Sequence, residues 1–128
     1  MPLQTLDSKK AEILLVDDDH SVRELLVDVL ESRKFAVACC TDAIEARAKR
    51  KTKRFDLIIT DFGLPGIGGL EFAARVKQVD VHIPIILVTG LGMELQDEET
   101  GIVDFILPKP FNLSSLLELA ETALRMNH

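Results

Sequence analysis

The chain has 128 residues, 47% of them hydrophobic, which fills one packed core and leaves little room for a second domain. Its 15 basic and 21 acidic side chains give a net charge of -6, so the whole-chain field disfavours nucleic acid and points to protein partners. No apolar run reaches the roughly 18 residues of a membrane span, and the first ten residues lack the apolar centre of a signal peptide, so a cytoplasmic domain without membrane contact is expected. Met1 to about Lys10 is polar and aperiodic and reads as a tail or linker, with the domain proper over 11–128. Ile13-Leu14-Leu15-Val16 is a short aliphatic strand ending in Asp17-Asp18-Asp19. Val22, Leu25, Leu26, Val29 and Leu30 then recur at helical spacing, one apolar stripe of a helix from about Ser21 to Arg33, with Asp19 as its cap.

Phe35 to Cys40 reads as the second strand. Cys39 and Cys40 are adjacent on it and point to opposite faces, which argues against a disulfide between them and for two small buried hydrophobes. Asp42 and Glu45 stand at capping-box spacing before a helix that runs to about Lys51. A third strand, about Asp56 to Thr60, gives way to Asp61 and the Gly/Pro-rich loop Gly63 to Gly69, and a helix follows from about Leu70 to Gln78. Pro84 marks the start of a fourth strand, Ile85-Ile86-Leu87-Val88, which ends in Thr89-Gly90. The acidic stretch from Gly90 to Gly101 is placed as a short helix. After Phe105-Ile106-Leu107, a final helix carries Leu113, Leu116, Leu117, Ala120 and Leu124 at helical spacing behind Asn112 as cap.

Strand and helix thus alternate five times, and the strands are apolar on both faces. That pattern belongs to an α/β domain with a doubly wound parallel sheet covered by helices on both sides. In such a sheet the carboxyl ends of the strands share one edge, where ligands bind. Asp17, Asp18, Asp61, Thr89 and Lys109 would all converge there. Crowded carboxylates demand a cation, and a hydroxyl with an amine suits anionic oxygens, so the constellation suggests a metal and a phosphoryl group.

Four segments in order resemble the receiver domain of two-component response regulators: Ile13 to Asp19, Asp61-Phe62-Gly63-Leu64-Pro65-Gly66-Ile67-Gly68-Gly69, Val88-Thr89-Gly90 and Lys109-Pro110-Phe111. The resemblance implies a single flavodoxin-like (βα)5 domain with strand order 2-1-3-4-5. It implies a phosphoacceptor module rather than a turnover enzyme, loaded by a sensor histidine kinase or a histidine phosphotransfer protein and read by a downstream protein. Asp61 would be the phosphoacceptor. Asp18 would bind Mg²⁺ directly, Asp17 through water, and Asp61 and the backbone carbonyl of Gly63 would complete the protein ligands. Thr89 and Lys109 would hold the remaining phosphoryl oxygens, and Lys109-Pro110 would be a cis peptide. The segment from Thr89 to Gly92, with Val103 to Phe111, is further similar to receivers at the C-termini of hybrid sensor histidine kinases.

Ile106 stands where many receivers carry a switching Tyr or Phe, and Phe105 should face the other side of the strand. With no ring at Ile106 to swing, and with the Thr89 to Lys109 interval also slightly shorter than the common pattern, the expected switch is a local rearrangement of the Thr89 to Gly101 segment. The basic run Lys49 to Arg54 reads as a solvated helix end, and His20, His82 and His128 are too scattered to form a site. A competing reading takes Asp17 and Asp19 as the Asp-x-Asp of a haloacid-dehalogenase-like phosphatase, with Asp17 as nucleophile.

Overall fold

Each aliphatic run of the sequence becomes one strand of a five-stranded parallel sheet in the order β2-β1-β3-β4-β5. The structure, a computed structural model, describes residues 10–90 and 101–126. The strands are β1 (Glu12–Val16), β2 (Ala36–Cys40), β3 (Leu57–Asp61), β4 (Ile85–Thr89) and β5 (Phe105–Pro108). The helices among the described residues are α1 (His20–Ser32), α2 (Ala43–Thr52), α3 (Gly69–Val79) and α4 (Leu113–Met126). The short helix placed between Gly90 and Gly101 falls on residues outside those described, as does nearly all of the N-terminal tail.

The two-residue period of the strands sorts the core into two layers. Leu14, Val16, Ile58, Ile85 and Leu87 face α2 and α3, where Ala43, Ala46, Phe72, Ala73 and Val76 meet them. Ile13, Leu15, Leu57, Ile59, Ile86 and Val88 face α1 and α4, against Leu26, Leu30, Leu116, Leu117, Ala120 and Ala123. With helices on both faces, the three central strands are buried on both sides, as the unbroken aliphatic runs anticipate.

The helix starts follow the cap residues. Asp19 Oδ1 accepts from the Val22 amide at 3.2 Å, and Asn112 Oδ1 accepts from the Ser115 amide at 2.8 Å. Asp42 Oδ1 takes the Glu45 amide at 2.8 Å, but the box closes one residue early: Glu45 reaches the Thr41 amide and hydroxyl rather than the amide of Asp42. Those bonds, the backbone one first, hold the Glu45 carboxyl below the usual carboxylate range.

Three expectations need correction. Leu25, counted in the buried stripe of α1, is 51% exposed, because the sheet covers only Leu26 and Leu30 fully and Val22 and Val29 in part. Cys39 is exposed, because β2 is an edge strand; only Cys40 is buried, and burial pushes its thiol up to about 12. The third strand runs one residue further than expected, so Asp61 ends the strand instead of opening the loop.

The far end of the sheet is tied by a polar knot. Lys77 of α3 donates to Ile83 O at 2.7 Å and to Asp104 Oδ2 at 2.8 Å, and the same Asp104 oxygen accepts the Ile85 amide at 2.8 Å where β4 begins.

Candidate functional site

The carboxyl ends of β1, β3, β4 and β5 bring Asp17, Asp61, Thr89 and Lys109 to one edge, as parallel pairing requires. Asp17 directly follows β1, and its amide donates to Cys40 O at 3.1 Å. Its side chain is 3% exposed, with Oδ1 accepting the Asp19 amide at 2.9 Å, a turn that aims the chain into α1. Asp18, between them, is exposed. One carboxylate oxygen from each of Asp17, Asp18 and Asp61 lies within 4.8 Å of the others.

Asp61 is paired with Val88 of β4, and the next amide, that of Phe62, donates to Val88 O at 2.8 Å. Its two oxygens are held differently. Oδ1 meets the Lys109 ammonium at 3.1 Å, while Oδ2 accepts the Gly63 amide at 3.2 Å. Thr89 is buried one position beyond Val88, and its carbonyl accepts the Lys109 amide at 2.8 Å, so β4 and the lysine are joined through the main chain. The Lys109-Pro110 peptide is cis.

The charges at this edge do not balance: three carboxylates face one ammonium. Burial, foremost, raises the Asp17 carboxyl above its ordinary value; Asp61 and Asp18 add to it, while the Asp19 amide and Lys109 oppose it. For Lys109 burial favours the neutral amine, but the hydrogen bond and charge of Asp61, helped by Asp17 and Asp19, outweigh it and raise its pKa. Three hard oxygen donors with an unmet demand for positive charge fit Mg²⁺, which takes carboxylate oxygens and keeps several waters.

Two contributors escape sequence reasoning. Arg23, one turn into α1, donates from Nη1 to the Asp17 carbonyl at 2.8 Å and pins that residue from behind. Gly69, at the start of α3, lies so close to the end of β3 that an added Cβ would overlap the Asp61 carbonyl oxygen and stand 2.9 Å from its carbon. Arg23 had a signal in its place four residues after the helix cap. Gly69 had only its glycine.

The family model for the response regulator receiver domain matches residues 13–121. The chain belongs to this family. It is similar to the C4-dicarboxylate transport transcriptional regulatory protein DctD of Rhizobium meliloti, 34% identical over 119 residues that cover 91% of this chain and 26% of that protein. It is also similar to the DNA-binding response regulator MtrA of Mycobacterium tuberculosis, 33% identical over 130 residues covering 95% and 54% of the two chains. This receiver domain therefore spans between about a quarter and about half of the relatives it matches. Among solved structures, the response regulator TrrA of Thermotoga maritima in complex with Mg²⁺-BeF superposes with a TM-score of 0.82 at 31% identity, over 88% of this chain and 98% of that one.

The receiver fold has five parallel strands in the order 2-1-3-4-5, as expected from the sequence. Asp17, Asp18 and Asp61 fit the phosphoacceptor site of such domains. The phosphatase reading is not supported: the family match is to receivers, and Asp61, idle in that reading, is the carboxylate that holds Lys109.

Proposed function

We propose that Asp61 takes a phosphoryl group from a phosphohistidine of a sensor histidine kinase or histidine phosphotransfer protein, and that a downstream protein reads the modified domain. What supports this most is the fixing of Asp61 between Lys109 and the Gly63 amide, beside two further carboxylates. A carboxylate held by an ammonium on one oxygen and an amide on the other is an oriented nucleophile at an edge built for anions.

One Asp61 oxygen forms the bond to phosphorus as the phosphorus–nitrogen bond breaks. The electron pair leaves with the donor imidazole, which then takes a proton. In the product the Lys109 ammonium moves from Asp61 to a phosphoryl oxygen, and the Thr89 hydroxyl donates to another. Mg²⁺, held by Asp18 and Asp61 with the Gly63 carbonyl and through water by Asp17, would supply neutralisation of the phosphoryl charge. Arg23 and the Asp19 amide keep Asp17 in place while the charge changes. The domain is thus consumed and restored once per signal, hydrolysis of the aspartyl phosphate closing the cycle, and acts in the cytoplasm without binding nucleic acid or membrane itself.

The test is intact-mass measurement after incubation with acetyl phosphate and Mg²⁺. One added phosphoryl group in the native chain, absent from Asp61→Asn and from an EDTA-treated sample, is the expected result. Equal labelling of Asp61→Asn would remove the assignment.

A further inference from the structure

The cleft between α2 and α3 lies on the sheet face opposite α1 and α4 and has no role in the phosphoryl chemistry. It is a groove of about 740 Å³ with Phe72 and Val76 at its base. Ile44 of α2 and Val79 of α3 also line it, and they are 81% and 82% exposed. Two aliphatic side chains held so far into water along one groove form an uncovered apolar strip.

Basic side chains predominate around that strip, with Asp42 the one acidic side chain among its lining residues. Residues 42–54 carry six basic and two acidic side chains, a net +4, so with -6 overall the remaining 115 residues carry -10. Arg47 and Arg50 line the groove and have no ion-pair partner among the described residues, and Arg50 also borders a basic cleft at the end of α2 with Lys51 and Arg54. Basic residues suit a helix C-terminus, yet the helix end accounts only for Lys49 to Lys51; Arg47 sits mid-helix, above the apolar strip.

We propose that this groove receives an amphipathic α-helix of a partner protein, its apolar stripe against Ile44, Phe72 and Val79 and its acidic flank against Arg47 and Arg50. A groove between two helices accepts a third as a cylinder, read by apolar anchors one turn apart, and the unpaired arginines choose carboxylates over ammonium groups. Nucleic acid finds two arginines here but an apolar floor that offers phosphates nothing. Among the described residues a second copy of this chain offers no such helix: α1 exposes only Leu25 among its large apolar residues and α4 only Met126, single anchors rather than a stripe.

The experiment uses the whole chain and a fluorescein-labelled synthetic helix with Leu at i, i+3, i+4 and i+7 and Glu on both flanks, beside the same peptide with Lys for Glu. Anisotropy should show saturable binding of the Glu peptide that weakens with salt, and amide shifts should cluster on α2, α3 and residues 65–67. Ile44→Ser/Val79→Ser and Arg47→Glu/Arg50→Glu should each weaken binding at least tenfold. All four side chains lie at the surface, and circular dichroism verifies that both variants fold. No binding of the Glu peptide, equal binding of the Lys peptide, or unchanged affinity in either variant overturns the proposal. So does a dimer that covers this face in sedimentation, or tighter binding of duplex DNA there.

Discussion

Replacing Gly69 with Ala places one methyl group against the backbone of Asp61, the proposed phosphoacceptor. The added carbon overlaps the Asp61 carbonyl oxygen and lies 2.9 Å from the Asp61 carbonyl carbon and 3.0 Å from Phe62 Cα, so every near neighbour is main chain that no rotamer change can move aside. Relief requires the β3 end or the first turn of α3 to shift by about one ångström, and overpacking of this kind costs about 1–3 kcal/mol. Alanine recovers part of this through helix propensity, at most about 1 kcal/mol and less at a helix start. A net loss of about 2 kcal/mol lowers Tm by roughly 6–10 °C in a domain of this size. The same displacement moves Asp61 relative to Lys109, 3.1 Å away, and misplacement on that scale slows group transfer by about a hundredfold. Thermal unfolding by circular dichroism and a time course of acetyl phosphate labelling measure the two effects. Gly66→Ala is the control, since Gly66 has φ 79° but open space around its Cβ position; it should cost stability and leave the labelling rate unchanged. A Gly69→Ala protein with native Tm and native labelling rate would refute the close-approach argument.

Asp17 titrates above its ordinary value in the folded chain, so the fold binds that proton more tightly than the unfolded chain does, and stability falls as pH rises from 3.8 through the raised value. Asp17→Asn keeps an oxygen for the Asp19 amide; without Mg²⁺ at pH 7 it should unfold at a higher temperature than the native chain, and added Mg²⁺ should stabilise it less. A lower Tm for the variant under those conditions would mean that burial does not dominate at Asp17. Asp104→Ala removes the partner of both Lys77 and the Ile85 amide and should cost about 2–3 kcal/mol in urea unfolding, as for a buried donor left unpaired. A loss below about 0.5 kcal/mol, the level of an ordinary surface change, would show that water replaces it. Lys34 follows α1 with φ 68°, so Lys34→Gly should raise stability by about 0.5–1 kcal/mol, a gain that a denaturant midpoint reports and whose absence would argue against strain there.

The strands were legible because each is one short apolar run, the three central ones buried on both faces, and Asp19 and Asn112 announced their helices as cap residues. The site was legible for a related reason: acids, hydroxyl and amine each stood at the end of such a run, and parallel pairing brings those ends together. Opposite facing of Phe105 and Ile106 also followed from the strand period; Phe105 packs into the α1/α4 layer, and Ile106 is 36% exposed. What stayed hidden depends on which surface a neighbour covers. Leu25 has the same spacing as Leu26, and only the width of the sheet separates the exposed from the buried one. Cys39 looks like core until β2 proves to be an edge. Gly69, the Lys77–Asp104 knot and the α2–α3 groove join residues distant in sequence or turn on backbone proximity, which local pattern does not encode.

The most direct measurement of the central claim locates the modified residue. The chain is labelled with acetyl phosphate and Mg²⁺, the acyl phosphate is reduced with borohydride to homoserine, and the digest is sequenced by tandem mass spectrometry. Homoserine at Asp61, with Asp17 and Asp18 unchanged, is the expected result. Homoserine at Asp17, or label spread over several carboxylates of the chain, would contradict the assignment of Asp61 as the phosphoacceptor.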